Sequence, residues 1–330
     1  MGTNDGDRDV AVTSAGVQTL GADFQLDVAR WAAQSDYSSF WVAEANAAEA
    51  FAILGAASQV APSLGLGTGV LALQLRTPPL AAMAVATLQQ LAPERIVSLG
   101  IGISSPAVAG QWHGAGYGER PLAQVREYVA LVRECLSGET VTFDGDFYSV
   151  KRFRLGLRLG ERKPQIVIGA LNAGMLRLAG EIADGVLLNY LPASHVAASV
   201  EHVRAGGDAR IMAYVHCGVT DRDRYAEAAR KDLFSYAVVD AYADNFARAG
   251  YADSVAEMRE RWAARDRDGA IAAISDEWVD GVQIMGDEAH IAEAVQAYRN
   301  GGVDLPIVFP LPWGEDRRAT VERTIRAGAG

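Results

Sequence analysis

Eight short β-branched runs, each followed by a helical run, limit what this 330-residue chain can become. Strands are expected over 10–13, 39–43, 64–70, 96–101, 166–169, 186–189, 211–219 and 305–309, with helices over 26–33, 47–59, 79–91, 174–183 and 194–204 between them. The clearest helical period is Leu122, Val125, Tyr128, Val129, Val132 and Leu136, a stripe at spacings of three and four. Around Asp144-Gly145 the pattern over 140–150 alternates, which reads as a hairpin inserted after the fourth helix. The charged stretch 225–274 is longer than one crossover needs and reads as a helical insertion after the seventh strand. Eight units with no linker or composition break favour a (β/α)8 TIM barrel over a doubly wound open sheet. The expected organisation is a disordered tail over 1–8 and one barrel domain over 9–330.

Composition narrows the partners. Half the residues are hydrophobic and 22% are charged, enough apolar surface for a large core. Acids outnumber bases by 41 to 30, giving a net charge of −11, so phosphate backbones and anionic lipid surfaces are repelled. Cys135 and Cys217 form neither a disulfide framework nor a zinc spacing, which fits a reducing compartment. No apolar run opens the chain, and the greasiest stretch, 80–88, is about half a membrane span. A cytoplasmic protein acting on a small molecule, with no nucleic-acid or membrane partner, is expected.

Chemistry-bearing residues are sparse. Gly65, Gly67 and Gly69, and Gly100 and Gly102, lie in strands and do not open helices, which argues against a Rossmann fingerprint and for close approach of backbone or ligand. The turn Gly169–Gly174 joins a strand to a helix whose free amides suit a phosphate or carboxylate, or an ordinary capped helix. Of five histidines, His195, His202 and His290 read as solvated and His216 as a core residue. His113, in the loop after the fourth strand, falls at the end of a barrel that carries chemistry. Glu44 emerges where the second strand ends. Pro106 occupies the position where a nucleophile elbow built on Ser104 needs glycine.

The ordered segments Trp41-Val42-Ala43-Glu44-Ala45, Leu66-Gly67-Thr68-Gly69-Val70, Arg76-Thr77-Pro78, Leu99-Gly100-Ile101-Gly102, Trp112-His113-Gly114, Arg126-Glu127-Tyr128, Thr142-Phe143-Asp144-Gly145, Ala179–Gly185 and Gly301-Gly302-Val303-Asp304 cover most of the chain. In them it resembles the luciferase-like flavin-dependent oxidoreductases, and among these the branch using the deazaflavin coenzyme F420, which includes the methylenetetrahydromethanopterin reductases. The resemblance implies a bulge with a non-prolyl cis peptide at Gly69-Val70 beneath the coenzyme ring, with Thr68 and Ser104 nearby. It implies a phosphate site at Ala170, Leu171, Asn172 and Ala173, with Gly185 and Val186 packed beside it. Ala45 and Ser105 stand where some members carry a histidine and a glutamate, so the proton donor is sought among Glu44, Tyr117 and His113. The implied activity is hydride transfer between F420 and a small organic substrate, an imine or unsaturated ring. An FMN-dependent monooxygenase is the alternative, and a barrel that has lost redox chemistry, serving as a ligand-binding protein or non-redox catalyst, is a third. Homodimers pairing through helices near the early strands are implied as well.

Overall fold

The computed structural model describes residues 9–330; the tail expected over 1–8 lies outside the described residues. Strands β1 (Ala11–Thr13), β2 (Ser39–Val42), β3 (Gly65–Thr68), β4 (Leu71–Ala72) and β5 (Val97–Gly102) form the first half of the sheet. After the hairpin strands β6 (Val141–Asp144) and β7 (Ser149–Phe153) come β8 (Gln165–Gly169), β9 (Gly185–Leu188), β10 (Arg210–Val219), β11 (Ile284–Gly286) and β12 (Leu305–Pro310). The barrel staves β1, β2, β3, β5, β8, β9, β10 and β12 pair in parallel in that order, and β12 closes on β1 with Ala11 opposite Ile307. Parallel neighbours require crossovers, and the helices that the sequence places between strands supply them. Trp41, Val167, Leu187, Met212, Tyr214 and Ile307 fill the barrel interior, while a larger apolar layer joins the staves to the surrounding helices.

The third stave departs from the expected continuous strand over 64–70. Gly67 pairs with Ser98, but the next pairing on the same neighbour is Leu71 with Ile101, so one extra residue sits on this stave. Such a bulge re-aims the chain where it occurs. The hydroxyl of Thr68 stitches the gap: it donates to the Gly100 carbonyl at 2.8 Å and accepts from the Gly100 amide at 2.8 Å. Gly100 has to be a glycine, because a Cβ there would run into the Thr68 carbonyl. The Gly69 amide donates to the Val42 carbonyl at 2.8 Å, and the Gly69-Val70 peptide is cis.

Helix Pro121–Cys135 buries Val125, Tyr128, Val129 and Val132 as its period predicts. Leu122, placed on the same stripe in the sequence, is instead 44% exposed: on the first turn of this helix it reaches only the start of the neighbouring helix, at Gly174, and is incompletely covered. Glu127 points from the same helix into the β6–β7 turn, where its carboxylate accepts from the amides of Asp146, Phe147 and Tyr148. The insertion after β10 runs through helices from Arg222 to Val282, eight residues beyond its expected end, and builds its own core on Phe246, Met258 and Trp278. That core meets the barrel at Tyr190, Met285 and Leu311. Strand β11 and the final helix Arg317–Gly328 escape the sequence reading: β11 is three residues long, and the helix is predominantly polar. Among the described residues, no helix is long and apolar enough to cross a membrane.

Thr68→Val keeps the shape and removes both bonds to Gly100, so it is predicted to cost about 1–3 kcal/mol in urea denaturation. Thr68→Ser should cost far less; an equal loss in both variants would contradict the stitching role.

Candidate functional site

Active-site chemistry in barrels belongs to the C-terminal strand ends, and a cavity of about 290 Å³ opens there. Its floor is the bulge on the third stave. Gly69 and Val70 face inward, and the Tyr214 hydroxyl donates to the Gly69 carbonyl from β10. The Val70 side chain lies across the ends of β5 and β8, and a Cβ at Gly102 would sit 2.9 Å from it. Leu187 and Asn189 come from β9 and the segment following it, Ile103, Ser104, Ser105 and Tyr117 from the loop after β5. Val239, Ala241 and Tyr242 of the insertion cover one side. A larger hollow of about 750 Å³ lies at the opposite, N-terminal end around Arg204, Asp208 and Asp304. It is polar and crossed by ion pairs such as Arg204–Asp208 at 3.3 Å, so the smaller apolar cavity is the better ligand site.

The titratable groups on the cavity wall are phenols. Burial raises the Tyr117 hydroxyl above its ordinary value and pushes Tyr242 up to about 12, so both remain protonated donors at neutral pH. Behind Asn189 stands His216, 1% exposed and stacked on Phe309 with ring centroids 4.0 Å apart. Burial holds its imidazole down to about 3, so the ring is neutral. Its Nε2 lies 2.8 Å from Asn189 Oδ1, while Nδ1 is buried without a hydrogen-bond partner. The expected core histidine is therefore only half satisfied. Deeper still, Asp232 accepts from the Tyr190 hydroxyl at 2.8 Å and from Gln283, yet burial outweighs both bonds and raises its carboxyl.

The turn Ala170–Asn172 leads into helix Ala173–Ile182, whose first-turn amides have no partners within the helix. Asn172 is its N-cap residue but makes no side-chain capping bond; its Oδ1 instead accepts from Arg248 Nη2 at 2.5 Å. The same nitrogen reaches the Leu171 carbonyl at 3.3 Å. Arg248 carries a cation to a helix N-terminus that already favours anions. Sequence reasoning missed it, because Arg248 sits in the insertion, 76 residues from Asn172, with no motif around it.

Gly69, Val70, Ser104, Tyr117, Ala170, Leu171 and Asn172 are brought together around one cavity. Ala173 opens the adjoining helix, and Thr68 lies one residue behind the floor. Gly185 and Val186 are buried at the start of β9, opposite Val167 and Ile168, and do not line the cavity; Leu187 and Asn189, further along in the strand direction, do. Glu44 lies outside the lining: its carboxylate accepts from the Ala50 amide at 3.1 Å and from Arg76 at 3.2 Å. His113 is exposed, with Nε2 2.6 Å from the Ala45 carbonyl, and also lies outside the lining.

A sequence profile of luciferase-like monooxygenases matches residues 9–305. The chain belongs to the luciferase-like monooxygenase family. Among curated members, a 5,10-methylenetetrahydromethanopterin reductase from Archaeoglobus fulgidus is 29% identical over 274 residues, covering 79% of this chain and 80% of the relative. The coenzyme F420-dependent tetrahydromethanopterin reductase from Methanopyrus kandleri superposes with a TM-score of 0.76 over 97% of both chains at 18% identity. An F420-dependent secondary alcohol dehydrogenase, solved with an F420-acetone adduct, gives 0.74 over 98% of this chain and 97% of its own at 16% identity. At these identities the two solved structures establish the shared barrel.

The buried His216 makes acid stability a test of this site. An unfolded histidine takes up a proton near pH 6.5, whereas His216 resists protonation down to about 3. The wild-type protein is therefore predicted to lose stability relative to His216→Phe as pH falls from about 7 toward 4, by about 1.4 kcal/mol per pH unit. A difference that stays constant over that range contradicts a neutral buried imidazole.

Proposed function

We propose that this barrel is an oxidoreductase that moves hydride between coenzyme F420 and a small organic substrate, an imine or unsaturated ring. The observation that carries the reading is the continuity of one apolar cavity with the turn where Arg248 meets a helix N-terminus. A flat ring system with a phosphate-bearing side chain fits that shape: Val70, with the room left at Gly102 and Gly169, would hold the ring, and the amides around Leu171, Asn172 and Ala173 would hold the phosphate. Relatives named for F420 or for its partner reaction support the choice of coenzyme. When bound, a reduced deazaflavin supplies hydride from a ring carbon.

The chain's own residues do the rest. Val70 supports one face and leaves the other to substrate, while Val239, Ala241 and Tyr242 limit the access of water. Tyr117, protonated and on the lining, is the first choice for delivering a proton. Glu44 and His113 are second choices, because their present bonds to Arg76 and the Ala45 carbonyl would have to be given up. FMN is the alternative coenzyme, since the phosphate site reads a feature common to both. Arg248→Gln should weaken F420 and FMN alike by about tenfold, the worth of one charge-assisted bond. It should leave the affinity for riboflavin, which lacks the phosphate, unchanged. Fluorescence titration checks this; equal losses for FMN and riboflavin contradict the assignment of the turn, and binding of FMN without F420 transfers the reading to a monooxygenase.

We also infer a homodimer. Leu80, Met83 and Leu91 expose an apolar stripe along helix Pro78–Leu91, and Val60 at the end of the preceding helix is exposed as well. A second copy laid against this face removes it from water. Light scattering at micromolar concentration should give twice the chain mass, and Met83→Arg should shift it toward the monomer; a monomeric wild type overturns the inference.

A further inference from the structure

The cavity wall around Asn189 has a donor pattern that specifies more than a coenzyme pocket. Among the described residues that line the cavity, none carries a formal charge at neutral pH. Asn189 Oδ1 is engaged by His216 Nε2, and Asn189 Nδ2 donates to the Tyr242 hydroxyl oxygen at 3.4 Å. Because His216 Nδ1 has no partner, the imidazole proton belongs on Nε2: on Nδ1 it would be a buried N–H with no acceptor, the costlier orphan. Nε2–H then donates to Oδ1 and fixes the Asn189 amide with its NH2 group toward Tyr242 and the cavity. The Tyr242 oxygen accepts from that NH2 group, which leaves its own O–H free to turn inward. His216 itself is clamped between Phe309 and Tyr190, with centroids 4.0 and 4.1 Å away, so the amide is held against a rigid ring.

We propose that Asn189 and Tyr242 form an uncharged oxygen subsite, with His216 as its positioning residue, that selects substrates bearing a neutral carbonyl over carboxylates and phosphates on the same carbon frame. Two converging donors suit an acceptor that brings no hydrogen of its own. A carboxylate entering the same place loses its hydration and finds no cation on this wall. An unsaturated ring or ketone with its oxygen at Asn189 is thereby fixed in orientation, whatever bond is then reduced. The proposal rests on the oxidoreductase reading for the fate of that substrate, and on this wall alone for its recognition.

The test is a ligand series on the wild-type protein, with and without oxidised F420: cyclohexanone, its alkene isostere methylenecyclohexane, and cyclohexanecarboxylate, with dissociation constants from competition NMR. Cyclohexanone is expected to bind about tenfold tighter than the alkene with or without F420, and the carboxylate weakest once F420 occupies the anion site at the Arg248 turn. His216→Phe, which keeps the stacking and removes the donor, should cut the ketone-over-alkene preference by at least about threefold. His216→Gln, whose amide N–H can reach Asn189, should restore most of it. In labelled wild-type protein the His216 Nε2 resonance should be of the protonated type at pH 7. Equal binding of ketone and alkene, carboxylate binding as tight as ketone in the F420-bound protein, or an unprotonated Nε2 overturns the proposal. Intact ketone selectivity without F420 binding upholds this subsite and sinks the coenzyme assignment; F420 binding without ketone selectivity does the reverse.

Discussion

One extra residue on the third stave organises the open end of this molecule. Between Gly67 and Leu71 the chain takes four steps where β5 takes three, and the surplus is absorbed by the Gly69-Val70 bulge. A bulge leaves ladder groups unpaired, and several are answered from elsewhere: Thr68 bonds both backbone groups of Gly100, Val42 receives the Gly69 amide, and Tyr214 donates to the Gly69 carbonyl. Those bonds come from three other staves, so the position of Val70 is fixed by the closed barrel rather than by its own segment. Everything proposed for the ligand depends on that fixed floor.

Electrostatics divide the site into two regions. The cavity is lined by apolar groups, amides and phenols, whose protons burial retains. The turn before helix Ala173–Ile182 gathers a helix N-terminus and Arg248. In a protein whose net charge is −11, a local anion site of this kind has to be built from specific groups rather than from the overall field. A ligand with a flat ring and a phosphate-bearing tail matches this division.

Much of the fold was legible because its signals are periodic. Strand–helix alternation located the eight staves, and the stripe Val125, Tyr128, Val129 and Val132 located a buried helix face. The third stave read as one strand because apolar period alone does not register an inserted residue; the resemblance in Gly67-Thr68-Gly69-Val70 pointed to the bulge. Leu122 misled because hydrophobicity does not say how completely a neighbour covers it: Gly174, with no side chain, leaves it 44% exposed. In the site, residues on the bulge and on the β8 turn were legible from local motifs. Asn189, Tyr214 and Tyr242, which meet the cavity from the end of β9, from β10 and from the insertion, were not, nor was Arg248 at the adjoining turn; only barrel closure and the insertion bring them together. Gly185 and Val186, which the resemblance set beside the phosphate turn, pair with Val167 and Ile168 and do not line the cavity.

The central claim is that the bulge floor and the Arg248 turn hold one ligand between them. A crystal structure of the protein with F420 bound tests it most directly. The account predicts the ring lying face-on against Val70 and the phosphate within hydrogen-bond distance of Arg248 and the amides that open helix Ala173–Ile182. A ring bound away from Val70, or a phosphate held at another turn, would contradict it.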